Sequence, residues 1–552
     1  MSRGGAAGIV IEPGGASTTR GAGARPGAPG PGARALVCAA AGVLYALAQV
    51  GYGIWPLVFV CLALWWGALG DSPTLRRAVG LSALFGASAY VVAMPWLFGG
   101  ATRLLDGRSG VALLLFVVYG AWIAAGFAAV GALVSSGLRV GRPAWLVGPI
   151  ALVVVEWLQP RLFAATVGES LASVPVLAQG AELGGPLLLS AFVAVVNGLL
   201  LEAWRAEGRK ATHRVAVALL IVGAAALGGV LRVHFLHEDT GLVGAEHTDR
   251  AGAASVGRGG RFLAIGIVQA NLSLAEKRDD AGPGHARHLE QTRALLEEGP
   301  LDLVVWPETA YARALRRPLP LEGQPIRAEL EVPLLFGASS VLTRDGRRAA
   351  TNSAFLVEAD GRIEQVYDKH LLIPFAETDP LARFGAAHSR EWLPRGQDFH
   401  PGETFDPIRL GPAPIATPIC YEVTDAGFVR RLVHEGRASL IVTLANDGWF
   451  GRTREPRMHL ALARLRAIEH RLWLVRATNS GESAVVDPTG RIVLRTELFE
   501  STARRVLVRA RPWGTVYGWL GDWPGPLALL ALVALGGRDF ARRRAKRPSD
   551  LA

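Results

Sequence analysis

The chain has 552 residues, half of them hydrophobic, with 19% charged residues and a net charge of +11. Its mean hydropathy of +0.28 and the uneven spread of its apolar residues exclude a string of ordinary soluble domains. The positive charge forms no basic stripe with interleaved aromatics, so nucleic acid is not an expected partner.

Residues 1–34 are rich in Gly, Ala, Pro and Arg without an apolar face, which predicts a flexible tail. Apolar runs then follow one another too persistently for the first to be a cleaved signal. A helix crossing the hydrocarbon needs about 20 mostly apolar residues. Seven candidates occupy 35–233: Ala35 to Gly51, Trp55 to Leu69, Ala78 to Phe98, Val111 to Leu133, Ala144 to Leu158, Leu183 to Trp204 and Arg214 to Val233. An eighth lies in 516–537, near Pro524 to Gly537, before a basic tail over 538–552.

Charge between these runs predicts their orientation. Arg3, Arg20, Arg25 and Arg34 precede the first, Arg76 and Arg77 follow the second, and Arg139 and Arg142 follow the fourth. Arg205, Arg209 and Lys210 follow the sixth, and RDFARRRAKR follows the eighth. Every second connection is basic and is expected in the cytoplasm, which leaves the polar region between the seventh and eighth spans outside it.

That polar region changes pattern at Arg261. Short β-branched runs begin at Phe262, Leu301, Val332, Asn352, Leu440, Leu472 and Ser483, with amphipathic stretches at Ala286 to Glu298, Ala426 to His434 and Arg457 to His470. Alternating strands and helices predict a layered α/β domain, and the turn signals ADG at Ala359 and PTG at Pro488 predict antiparallel hairpins within it.

Of three cysteines, Cys38 and Cys61 lie in apolar runs, so Cys420 in ATPICYE has no disulfide partner in the polar half. A lone thiol can be a nucleophile or simply a small buried hydrophobe. Glu308 in VVWPETA and Lys369 in VYDKHLLIPFAE also stand at strand ends or in the loops beside them. A carboxylate base, an ammonium facing an oxyanion and a thiol nucleophile together suit acyl transfer. Singly, Glu308 could cap a helix and Lys369 could be solvated, and their spacing alone does not group them.

The ordered set does. WPETA from Trp306, YDKHLLIPFAETDP from Tyr367, ICYE from Ile419, NDGWFG from Asn446, MHLALARLRAIE from Met458 and RATNSG from Arg476 resemble the nitrilase superfamily. With membrane spans before and after, the chain resembles its membrane-embedded branch, the apolipoprotein N-acyltransferases. The resemblance implies a polytopic helical membrane domain carrying a nitrilase-like α-β-β-α sandwich over 258–512. It also implies Glu308 as general base, Lys369 as oxyanion stabiliser and Cys420 as nucleophile, with Glu377 holding Lys369. Tyr421 and Glu422 match flanking positions, and the Tyr421 N–H is expected to be a second oxyanion donor. Trp449 matches an aromatic near the substrate entrance, whereas His459 reads as structural. Departures are few: Ala376 replaces a frequent Gly, Glu482 replaces a residue that is usually uncharged, and a proline is missing after Tyr311.

The implied reaction moves a fatty acyl chain from a membrane phospholipid, typically phosphatidylethanolamine, through a Cys420 thioester to the amino group of a diacylglyceryl-cysteine on an apolipoprotein. No metal or cofactor is expected, and a monomer is. Two loops are expected to dip toward the bilayer: Tyr311 to Ile326, with Leu315, Arg316, Arg317 and Leu319, and Pro380 to Pro394, with Phe384 and Trp392 offered as substrate contacts. Two rivals stay open here, a membrane-tethered amidase that only hydrolyses and a transporter with a binding ectodomain. Few charges lie within the spans to support the transporter, since Glu156 and Glu202 fall near predicted ends.

Overall fold

The apolar runs fold as a bundle of helices on one side of which two β-sheets are stacked. The computed structural model describes residues 30–545 apart from 71–73, 106, 164–165, 241–260, 274–275, 277–280, 345, 381–397 and 513. Most of the expected tail, the end of the basic segment and the loop holding Phe384 and Trp392 therefore lie outside the described residues.

The bundle comprises α1 (Pro31–Ala48), α2 (Val58–Gly70), α3 (Leu75–Ala93), α4 (Pro95–Leu104), α5 (Ser109–Arg139), α6 (Ala144–Leu158), α7 (Ala181–Arg205) and α8 (Arg209–Thr240). Among the described residues, four helices are long and apolar enough to cross a membrane: α1, α5, α7 and the Arg209–Leu236 part of α8. The third expected span is not one straight helix. Pro95 cannot donate to the preceding turn, so the chain breaks at Met94 and α4 leaves α3 at 60°. The α3–α4 pair makes a fifth candidate, while Trp55–Gly70 and Ala144–Leu158 are apolar but shorter. Small residues let the helices close up: a Cβ on Gly86 would lie 2.9 Å from Ala124 Cα of α5.

The sandwich follows. Its first sheet holds β1 (Arg261–Gln269), β2 (Leu303–Val305), β3 (Tyr311–Arg316), β4 (Leu321–Glu322), β5 (Leu334–Arg344), β6 (Arg347–Val357), β7 (Arg362–Asp368) and the late strand β14 (Thr502–Ala510). They run β14-β1-β2-β5-β6-β7-β4, with β3 beside β5. The second holds β8 (Ile408–Leu410), β9 (Ala413–Ala416), β10 (Leu440–Ala445), β11 (Leu474–Thr478), β12 (Ala484–Val486) and β13 (Ile492–Arg495), in the order β13-β12-β11-β10-β9-β8. Both expected hairpins form, β6–β7 turning at Gly361 (φ +92°) and β12–β13 at Gly490 (φ +83°).

Alternation along the strands builds the layers. Leu303 and Val305 join the core shared with Ile415, Ile441 and Leu474 of the second sheet, while Val304 and Trp306 point to the other face with Leu289 and Leu295 of α9 (Ala281–Glu297). The outer face of the second sheet is covered by α10 (Ala426–Gly436) and α11 (Glu455–His470). The latter is apolar on two sides. Leu460, Ala463 and Ala467 face the sheet, while Met458, Leu462, Leu465 and Ile468 join the core of the helical bundle.

Connections 49–57, 94–105 and 166–180 carry the sandwich: Arg454 stacks over Tyr52, Arg103 Nη1 donates to the Trp449 carbonyl at 3.3 Å, Arg464 to the Ala172 carbonyl at 3.2 Å, and Gln179 to the Thr489 carbonyl at 2.9 Å. The basic connections lie at the other ends of the same helices. There Arg142 pairs with Asp539 at 2.7 Å, tying the final helix α12 (Pro524–Ala545) to the α5–α6 turn.

One expected lid is a different structure. Tyr311–Arg316 is not a loop but strand β3, drawn into the sheet by the open edge of β5, and Arg317 is held by both Asp368 oxygens. Within the expected loop, Arg317–Pro320 stays outside any strand.

Candidate active site

Glu308 follows β2, where Pro307 ends the strand for want of an N–H. The turn crosses directly over β5, and Gly337 makes room for it: a Cβ there would fall 2.6 Å from Glu308 Cα. Lys369 follows β7, its backbone N–H bonded to the Asn352 carbonyl at 2.8 Å. Cys420 opens a short 3-10 turn, Cys420–Thr424, after β9, with a left-handed φ of +54° that a non-glycine residue adopts only when its surroundings impose it.

These three strand ends converge. Lys369 Nζ, almost wholly buried, donates to Glu308 Oε1 at 3.3 Å and to Glu377 Oε1 at 2.9 Å. Asn352 Nδ2 donates to the same two oxygens at 2.8 and 3.0 Å. The second Glu377 oxygen accepts the Ile373 N–H at 2.9 Å, closing the loop that carries Lys369 upon itself. Burial alone would lower the Lys369 ammonium, but Glu308 and Glu377 hold it well above its usual value. The lysine is therefore a permanent cation. Burial pushes the Cys420 thiol up, the Glu308 carboxylate adds to this, and Lys369 opposes it. At rest the sulfur keeps its proton.

Glu422 joins the lysine loop to the cysteine turn. Its Oε1 accepts the N–H groups of His370 at 2.6 Å and Leu371 at 3.0 Å, and its Oε2 accepts Ile419 N–H at 2.7 Å and Tyr367 O–H at 2.9 Å. Burial raises this carboxyl to about 7 against the pull of those donors. Glu422 thus sets the distance between Lys369 and Cys420 without facing the reacting atoms.

A second buried group supports the turn from behind. His459 meets the Cys420 carbonyl through Nε2 and Asp447 Oδ1 through Nδ1, both at 3.1 Å, and Arg476 donates to Asp447 Oδ2 at 2.7 Å and to His459 Nδ1 at 3.1 Å. Burial and Arg476 lower the imidazolium, and a neutral ring donates either from Nε2 to the Cys420 carbonyl or from Nδ1 to Asp447, not to both at once. Arg476 and His459 hold Asp447 down at about 2 although burial works the other way. Ligand atoms of Asp447, Glu455 and His459 lie within 4.8 Å of one another, a spacing that could hold a cation. The Arg476 guanidinium already supplies the positive charge at Asp447 and His459.

Tyr421 points from Cys420 to the helical bundle. Its ring meets Phe163 at 6.2 Å, Phe163 meets Trp96 of α4 at 5.1 Å, and Trp96 meets Phe450 at 5.3 Å. Trp449, half-buried, packs on the bundle core beside this row. Glu482 is buried with Arg457 3.7 Å away, and burial raises its carboxyl.

Residues 41–199 match the apolipoprotein N-acyltransferase N-terminal domain, and residues 264–519 match carbon-nitrogen hydrolase. A protein of Azotobacter vinelandii named apolipoprotein N-acyltransferase is 30% identical over 537 residues, which is 95% of this chain and 97% of its own. The chain belongs to that family. A Rhodopseudomonas palustris apolipoprotein N-acyltransferase is also 30% identical, over 91% of this chain and 94% of its own. The solved yeast nitrilase-superfamily protein Nit3 covers 49% of this chain at 16% identity, with a TM-score of 0.35. Membership and the apolar helices make this a membrane protein with a nitrilase-like fold.

Of the residues singled out from the sequence, Glu308, Lys369, Glu377, Cys420 and Glu422 come together, and Tyr421 and Trp449 lie on the bundle side of them. Sequence reasoning passed over Asn352, Asp447 and Arg476. Asn352 looked like the polar start of a strand, and only its position beside Lys369 reveals two carboxylate partners. Asp447 and Arg476 were inside quoted motifs, NDGWFG and RATNSG, without a role.

Proposed function

We propose that the chain transfers a fatty acyl group from a membrane phospholipid to the α-amino group of a diacylglyceryl-cysteine at the N-terminus of an apolipoprotein. The observation that carries this reading is the buried Lys369 ammonium caged by Glu308 and Glu377 beside Cys420, at the seam with the apolar helices. Glu308 takes the thiol proton as Cys420 Sγ attacks the ester carbonyl. The oxyanion is met by the fixed Lys369 charge and the backbone N–H of Tyr421. The C–O bond breaks, the lysophospholipid alkoxide recovers the proton from Glu308, and an acyl thioester remains. The incoming amine, with an ordinary pKa of about 7.7–8.0, is available as free base near neutral pH and attacks the thioester. Glu308 accepts its proton and returns it to the departing sulfur. No metal or nucleotide enters the scheme.

The domain division proposed from the sequence accompanies this reading: an anchor over 35–233, a catalytic unit over 258–512 and a closing helix. In the cytoplasmic membrane, the basic connections would face the cytoplasm and the sandwich the opposite side. The sandwich rests on the connections opposite the basic ones, which supports that orientation.

The test is the intact mass of purified protein exposed to phospholipid. A fatty-acyl adduct on Cys420, removed by a diacylated lipopeptide but only slowly by water, is expected. An adduct that water removes as fast as the lipopeptide would make the protein a hydrolase instead.

A further inference from the structure

Three arginines stand on the same side as the candidate site, where topology disfavours positive charge. Arg103 ends α4, and Arg452 and Arg454 lie in the loop that runs from Asp447 to α11. All three are exposed, and among the described residues no carboxylate lies within ion-pair distance of any of them. Neighbouring charges are otherwise engaged: Arg457 lies 3.7 Å from Glu482, and Glu500 is 3.4 Å from Arg504.

Rings hold two of these guanidinium groups in place. Arg454 stacks 3.4 Å over Tyr52, in the turn between α1 and α2, and Arg452 lies 4.8 Å over Phe499. Among the described residues Arg103 bonds to the Trp449 carbonyl. Tyr52 follows α1 and Arg103 lies in the last turn of α4, at the ends of candidate membrane helices. Asp447, the start of the loop, reaches the Cys420 carbonyl through His459.

We propose that Arg103, Arg452 and Arg454 form a site for the phosphate of the glycerophospholipid acyl donor. This rests on the acyltransfer reading above and adds how the donor is recognised. Guanidinium groups suit a phosphodiester because they offer paired N–H donors and keep their charge. In a glycerophospholipid the phosphate and the scissile ester share one glycerol. Holding the phosphate at the rim limits where the ester carbonyl can lie and leaves the acyl chains to the apolar wall of Trp96 and Phe163.

The test uses the full-length enzyme in mixed micelles, with acyl-adduct formation on Cys420 followed by mass spectrometry against phospholipid mole fraction. A diacylglycerol of the same chains, which lacks the phosphate, serves as the second donor. Combined Arg452→Gln and Arg454→Gln substitution is expected to raise the half-saturating phospholipid fraction about tenfold, equivalent to about 1.4 kcal/mol. The plateau rate and use of diacylglycerol stay within about twofold, as for a surface change that leaves the bidentate contact as its main loss. Lysines at both positions restore part of the phospholipid response. Arg103→Gln, tested alone, acts in the same direction and covers a failure of the double variant to fold. Unchanged half-saturation, or an equal loss for both donors, overturns the proposal. So does loss of inorganic phosphate binding without any change in lipid response, which would assign the patch to free phosphate. A wild-type enzyme that acquires no acyl group from either donor would sink the acyltransfer reading itself.

Discussion

Replacing Glu422 by glutamine should separate stability from activity. The carboxylate accepts four hydrogen bonds, three from backbone N–H groups and one from Tyr367. Glutamine has one acceptor oxygen and must turn its NH2 toward one pair of donors. The better choice faces Tyr367, whose hydroxyl can accept, and leaves the Ile419 N–H beside Cys420 without a partner. A buried unsatisfied donor costs about 1–3 kcal/mol, so acyl-adduct formation near pH 8 should fall about tenfold or more. Stability moves the other way with pH. The folded carboxyl titrates at about 7 against an ordinary 4.5. Such a raised group contributes stability that is complete below its unfolded value and fades as pH rises through the folded one. The shift corresponds to about 3 kcal/mol lost by the wild type between roughly pH 4.5 and 8, a loss that uncharged glutamine does not share. Thermal unfolding in detergent from pH 5 to 8.5 should show Glu422→Gln below the wild type at the acid end by the cost of that unsatisfied donor and gaining on it steadily toward the alkaline end. A constant difference across that range, or wild-type acylation by the variant, would refute the reasoning.

Three more outcomes follow from the same geometry. Cys420 should react with iodoacetamide more slowly than a free thiol at neutral pH and accelerate toward alkaline pH, because burial and Glu308 keep the sulfur protonated; a fast plateau at neutral pH would mean a resting thiolate. Asn352→Asp adds a third carboxylate where Asn352 now donates to two, and should abolish adduct formation, whereas Asn352→Ala should slow it about tenfold in single-turnover assays for the loss of about 1–2 kcal/mol of hydrogen bonding. Arg466 is wholly buried between Glu469 at 2.7 Å and Glu169 at 3.6 Å and donates to Thr424 in the cysteine turn. Arg466→Leu strands both carboxylates and should cost about 3–5 kcal/mol in unfolding, while Glu169→Gln, which leaves Glu469 as partner, should cost about 1 kcal/mol. Equal effects from the two would show that the membrane-side carboxylate is the principal partner.

Several features were legible because local chemistry dictates them. Pro307 stops a strand, the ADG and PTG turns close hairpins, and the helical period of MHLALARLRAIE marks α11, whose second buried side only the structure reveals. Pro95 carried the signal for the break between α3 and α4, but the long apolar run masked it. Tyr311–Arg316 lacked that kind of signal. Its mixed residues, including Arg313 and Arg316, resemble a loop, and only the unfilled edge of β5 makes them a strand.

The sequence by itself determined the helical anchor, the α/β character of the polar half and which three side chains to propose as the reacting groups. Hydrophobic length, side-chain period and motif order are properties of the chain taken locally. Only the tertiary structure decided what surrounds those groups: Asn352 shared between two carboxylates, Glu422 bridging two loops, and arginines standing beside the ends of membrane helices. Each depends on strand register and on how the sandwich sits on the bundle, which bring together residues far apart in the chain, and no local pattern encodes those distances.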